Sequence, residues 1–151
     1  PTGAILGLDA VRAAALGKVN SVTMITRKPP AGLKKAPFVI EQGFDLEDLE
    51  EAVLLYEGPV SDAAAKFPAN VNVAVALALA GIGPDLTQYQ VWADPAVTRN
   101  THVIKVDADT VSFEMTTAVV PTEENPATGQ VVRLSVIETL RGLVTPFKVG
   151  T

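Results

Sequence analysis

Arg99-Asn100-Thr101-His102-Val103-Ile104-Lys105-Val106 leads through the polar turn Asp107-Ala108-Asp109-Thr110 into the β-branched run 111–120, and the pair reads as two strands joined by a short connection. Side chains two apart in a strand share a face, so His102 projects with Ile104 and Val106, while Thr101, Val103 and Lys105 project the other way. An imidazole on an apolar face sits at the edge of the core and needs partners, because an unpaired buried polar group costs about 1–3 kcal/mol. His102 is the only histidine and the chain has no cysteine. It is therefore the one side chain whose ordinary pKa, about 6.5, changes its charge between pH 5 and 8. Two readings follow from the residue itself: a general acid/base at a sheet edge, or a hydrogen-bonded structural histidine.

Working outward, residues 89–93, 21–27 and 52–56 read as further strands, the second ending at Pro29-Pro30 and the third closed by Gly58-Pro59. The Ala-rich stretch 8–16 predicts a helix with Gly17 as a left-handed C-terminal cap. Ser61 is placed to cap a helix over 62–67, and Asn70 to cap one over 71–80. That second helix is apolar all round apart from Asn72, which predicts burial rather than amphipathicity. Residues 130–143 predict a final helix alternating between core and solvent, and the acidic run 45–51 a short helical turn on a solvated surface. Helices and strands mix without strict βαβ alternation. The expected fold class is α+β: a mixed, mostly antiparallel sheet with helices on one face.

The chain has 151 residues, 48% of them hydrophobic, enough for a single core and a single domain over 1–151. Its net charge of −5, with basic residues scattered except at Arg27-Lys28 and Lys34-Lys35, argues against a nucleic-acid partner. No apolar run is long enough to span a bilayer, so no membrane partner is expected. With no cysteine, disulfides and zinc-thiolate sites are excluded and a reducing cytoplasm is the expected setting; with one histidine and no carboxylate motif, no metal site is expected. The chain opens at Pro1-Thr2-Gly3-Ala4 without an initiator methionine or signal segment, and is expected to be part of something longer.

Two other strings bear on function. In Pro68-Ala69-Asn70-Val71-Asn72-Val73, a polar amide in an apolar helix invites either a ligand contact near a helix N-terminus or a structural hydrogen bond to a loop. Gly81-x-Gly83 follows a helix rather than a strand, and Gly3-x-x-x-Gly7 lacks both a preceding strand and a P-loop lysine, so neither is a dinucleotide fingerprint.

Taken in order, Gly3-Ala4-Ile5-Leu6-Gly7-Leu8-Asp9-Ala10, Phe67-Pro68-Ala69-Asn70-Val71-Asn72-Val73-Ala74, Ala80-Gly81-Ile82-Gly83-Pro84-Asp85, Asp94-Pro95, Arg99-Asn100-Thr101-His102 and Glu124-Asn125-Pro126-x-Thr128 resemble the C-terminal half of the L-aspartate dehydrogenase family. Each string alone is weak; six in the right order are specific. The resemblance implies a substrate-binding and dimer-forming domain like the C-terminal domains of aspartate dehydrogenase and glyceraldehyde-3-phosphate dehydrogenase-like enzymes. The resemblance also implies that the N-terminal dinucleotide-binding domain, which in that family holds most of the NAD or NADP, is absent from this chain.

Carried over by position, the resemblance puts the catalytic histidine on His102 and the nicotinamide contacts on Ala4 and Asn72, with Asn70 as a rival to Asn72. Asn70, Arg99 and Asn100 are candidate substrate contacts. The implied activity is NAD(P)-dependent oxidation of L-aspartate to iminoaspartate and then oxaloacetate and ammonia, by a homodimer. The isolated chain is expected to be inactive. One position departs from the pattern: Ala127 stands where a basic residue usually follows Asn-Pro, leaving Arg27, Lys28 and Arg99 as cations for a substrate carboxylate. That departure keeps open a dehydrogenase of another amino or keto diacid. A non-catalytic dimerisation or small-diacid-binding module also stays open.

Overall fold

The structure, a computed structural model, describes residues 3–68, 71–123 and 128–147. In chain order the elements are α1 (Leu8–Ala14), β1 (Val19–Lys28), α2 (Pro37–Glu41), β2 (Val53–Pro59), α3 (Val60–Lys66), α4 (Asn72–Ala80), β3 (Gln88–Ala93), β4 (Asn100–Ala108), β5 (Ser112–Val119) and α5 (Gln130–Arg141). The strands form one five-stranded sheet in the order β2-β3-β1-β4-β5. Only the β1–β3 pairing is parallel; β1–β4, β2–β3 and β4–β5 are antiparallel. This is the expected mixed, mostly antiparallel α+β sheet.

One face of the sheet is the core. Val22, Met24, Ile104, Val106, Tyr89 and Val91 are buried there beneath Val11 and Ala14 of α1, Val60 and Ala63 of α3, and Ala74, Leu77 and Ala78 of α4. The alternation expected for β4 holds: His102, Ile104 and Val106 are buried, whereas Val103 is half-buried and Lys105 exposed. A β-bulge between Leu54 and Tyr56 places both Leu55 and Tyr56 among the buried residues, although they are adjacent in sequence. Among the described residues, no helix is long and apolar enough to cross a membrane.

Several local expectations are corrected. Gly17 takes no left-handed conformation and α1 ends earlier, at Ala14; the left-handed glycine is Gly7, at the start of the helix, with φ 74°. Gly58 and Pro59 do not close β2 but belong to it, paired with Tyr89 and Gln88; β2 is an edge strand, where a proline without an N–H is tolerated. Ser61 is inside α3, whose N-cap is Pro59. The run 45–51 is not helical: Glu47 N–H donates to Asp45 Oδ1 at 2.9 Å and Asp48 has φ 47°, a local side-chain turn that competes with helix. Most of its side chains are exposed, but Leu46 is buried. The short helix lies upstream instead, at α2, where Pro37 occupies the first turn and Val39 is buried. No residue of α5 is buried, so its apolar positions do not join this core as expected; Leu134, Ile137 and Leu140 are exposed.

Candidate active site

Along β1 the buried face changes character. Val22 and Met24 are followed at the same parity by Thr26 and Lys28, so the apolar stripe ends in a hydroxyl and an amine, both buried. Thr26 pairs with His102 of β4, and His102 pairs with Thr117 of β5. The row Thr26, His102, Thr117 therefore crosses three strands on the helix-covered face, with Lys28 one step further towards the C-terminal end of β1.

His102 is 5% exposed. Thr26 Oγ1 lies 3.0 Å from its Nδ1. Thr26 also shares a side-chain hydrogen bond with the phenol of Tyr89, which is fully buried. Burial, with a further contribution from the charge of Lys28, pushes the His102 pKa down to about 4, so the ring is neutral at pH 7. Burial also pushes the Lys28 amine down to about 8, which leaves it mostly protonated at pH 7. Thr117 Oγ1 is a buried side-chain polar atom without a hydrogen-bond partner among the described residues. The arrangement holds a neutral imidazole by one nitrogen, with an ammonium and an unengaged hydroxyl on its flanks.

A neutral imidazole partnered by a hydroxyl is not locked into one tautomer. If Thr26 donates to Nδ1, the proton is on Nε2; if Nδ1–H donates to Thr26, Nε2 has a free lone pair. His102 can thus act as a base at Nε2 when Nδ1–H donates to Thr26, and as an acid once the ring has taken up that proton.

The other sequence candidates fall as follows. Asn100 is half-buried on the same face of β4 as His102, opposite Val119. Arg99 is exposed just before the strand, where its carbonyl accepts from Thr101 Oγ1 at 3.3 Å. Ala4 is half-buried beside Gly129 and Val119, so the segment 3–7 passes along the same end of β5; Gly7 lies against Met115 further down that strand. Asn72 is exposed as the first residue of α4, so of its two readings the amide near a helix N-terminus is the one its position matches. Asn70, and Ala127 with the rest of the Asn-Pro motif, lie outside the described residues. Sequence reasoning did not bring Thr26, Tyr89 and Thr117 to the site. The signal for Thr26 and Lys28 was the parity of β1, which places them in line with Val22 and Met24.

Sheet order, helix placement and a buried lone imidazole together define an α+β domain of the kind that presents a site at one end of a mixed sheet. Residues 9–143 match the family model described as "Aspartate dehydrogenase, C-terminal", and the chain belongs to that family. It is 55% identical over all 151 residues to a protein of Bordetella bronchiseptica named L-aspartate dehydrogenase 3, covering 55% of that protein. An L-aspartate dehydrogenase of Methanosarcina acetivorans is 45% identical, again over the whole chain and 56% of the relative. The crystal structure of an aspartate dehydrogenase from Thermotoga maritima superposes with a TM-score of 0.77 at 29% identity, covering 99% of this chain and 55% of that one. The chain thus spans about half the length of the relatives it matches.

Proposed function

We propose that this chain is the substrate-side domain of an NAD(P)-dependent L-aspartate dehydrogenase, with His102 as its acid/base. The observation that carries the reading is the chain's single imidazole, buried and hydrogen-bonded to Thr26 in a domain of this family. Residues 1–151 act as one domain, and a dinucleotide-binding domain outside this chain completes the enzyme; the relatives' additional length supports this. In the whole protein the nicotinamide cofactor would accept the hydride leaving Cα of L-aspartate, giving iminoaspartate, which water converts to oxaloacetate and ammonia.

This chain's own residues manage position and protons. Nε2 of His102 takes a proton from the substrate amine or from the attacking water and returns it to the departing ammonia, a role typically worth about 10²–10⁴-fold. Asn100, on the His102 face, and Arg99, just outside it, contact substrate, and Asn70 stands by the same string as Asn72. The residues present suit a nicotinamide edge arriving from outside the domain: Ala4 lies at the His102 end of β5, and Asn72 offers an amide already exposed. The reading extends to a cytoplasmic homodimer. The absence of cysteine and the half-buried sheet face bearing Ile25, Trp92 and Val103 support that extension.

The test is His102→Ala in the full-length enzyme. Turnover of L-aspartate should fall by about tenfold or more while cofactor affinity changes little. Near-normal turnover overturns the assignment, and a panel of other dicarboxylic amino and keto acids decides whether aspartate is the preferred substrate.

A further inference from the structure

We propose that Lys28, together with the Thr117 hydroxyl, forms the seat for a carboxylate of the substrate beside His102. This rests on the dehydrogenase reading above for the identity of the substrate, but the seat itself is argued from the arrangement of the sheet.

Three cations could serve a carboxylate in a chain with alanine at position 127. Arg27 points to the opposite face from Thr26, where it is ion-paired to Asp94 at 3.0 Å and lies 4.7 Å over the Trp92 ring. Arg99 is exposed and precedes β4. Lys28 alone of the three is buried, at 6% exposure, and it shares the face of Thr26 and His102. Diagonal neighbours across antiparallel strands lie about 7–8 Å apart, a span that the four-carbon stem of a lysine bridges. After burial, the charge of Lys28 is the second cause of the lowered His102 pKa.

A buried ammonium in a core is costly, and such groups are characteristically found where a site uses the charge. Thr117 supplies the second independent sign. Among the described residues its Oγ1 is buried and without a hydrogen-bond partner, and Thr117 lies directly opposite His102 in the register, so an uncommitted hydroxyl stands in the same neighbourhood. An ammonium and a hydroxyl on two sides of an imidazole make a seat for an anion. A carboxylate there has a further effect. By neutralising Lys28 it removes the repulsion that disfavours imidazolium, so substrate binding itself makes His102 a better base.

The test uses the full-length enzyme and its Lys28→Met, Lys28→Arg, Thr117→Val and Arg27→Met variants, with succinate as a non-reacting dicarboxylate. Lys28→Met should weaken succinate binding, read by calorimetry, by about tenfold or more, and raise KM for L-aspartate to a similar extent. The loss should fall mainly on KM rather than kcat. Lys28→Arg should recover part of it, and Arg27→Met should leave both values close to the parent. The ascending limb of kcat/KM against pH should move to higher pH in Lys28→Met and stay near the parent position in Lys28→Arg, which keeps the charge, whereas loosening of the core would move it in both.

Succinate affinity and KM unchanged in Lys28→Met would overturn the proposal, as would a parent enzyme that fails to bind succinate. If Lys28→Met does not fold, Lys28→Arg and Thr117→Val decide: succinate affinity equal to the parent in both overturns it. The two claims fail separately. Inactive His102→Ala beside normal Lys28→Met removes only the carboxylate seat. Lys28-dependent succinate binding in a protein that does not oxidise L-aspartate removes only the dehydrogenase reading.

Discussion

The Thr26 hydroxyl lies 3.0 Å from Nδ1 of His102, joining the central strand of the sheet to the only imidazole in the chain. Thr26→Val keeps the shape and removes the bond. It should destabilise the fold by about 1–3 kcal/mol, because a buried ring nitrogen loses its partner. It should also lower turnover of the full-length enzyme, since the ring is no longer steered, while Thr26→Ser retains most of both. Denaturant titration and steady-state kinetics check the pair; an unaffected Thr26→Val would show that packing suffices to hold the ring.

His102 gives stability a definite pH dependence. Its imidazole takes up a proton near pH 6.5 in the unfolded chain but only near 4 in the fold, so the unfolded state binds more protons between those values. Unfolding free energy should therefore decline as pH falls from about 6.5 towards 4, by up to about 3 kcal/mol from this residue, and the contribution should be constant below that. His102→Gln removes the ring. The difference between parent and variant, measured at pH 7, 6, 5 and 4, isolates the histidine from the carboxylates that titrate in the same range.

Lys28 should be a residue whose removal makes the protein more stable. Its amine titrates near 8 in the fold against 10.5 in the unfolded chain, so stability rises as pH increases through that window and the burden of the buried charge is fully present below it. Lys28→Met should raise stability at pH 7 by about 1–3 kcal/mol and lose the rise between pH 8 and 10.5. Thermal melts at pH 7 and 9.5 read both effects. A lower melting temperature at pH 7 would contradict this account.

Gly129 approaches β5 so closely that a Cβ there would collide with Val119 Cγ1. Val119 is branched and buried and its χ1 has little freedom, so Gly129→Ala should destabilise by about 1–3 kcal/mol through overpacking, although the backbone there is ordinary, with φ −81°. Gly129→Ala with Val119→Ala should recover part of the loss. A double-mutant cycle measures the coupling.

Composition and period-two patterning were enough to read the strands. The β-branched runs and the positions of Pro29 and His102 follow from side chains that must alternate between core and solvent. What was not legible depends on contacts distant in sequence. Pro59 reads as a strand terminator until β2 is known to be an edge, and Gly17 reads as a helix cap until Asp109 is seen beside it, where an added Cβ would come within 2.8 Å of Oδ1. Asn72 reads equally as a ligand contact or a loop tie while the start of the helix is unknown; it opens the helix and is exposed. The histidine itself was evident. Its surroundings were not, because Thr26 and Thr117 become its neighbours only through strand register.

That register also orders events in time. His102 and Thr117 belong to adjacent strands joined by a short turn, and such hairpins close locally, within about 1–10 μs. Thr26 must arrive from 76 residues away and then accept β3 as a parallel neighbour, a pairing that loop-closure entropy makes slow. The polar row is thus half built early and completed only when the central strand enters. The histidine's environment becomes a reporter of the late stage of folding: a chain that collapses without seating β1 would carry a solvated imidazole that titrates near its ordinary pKa instead of near 4.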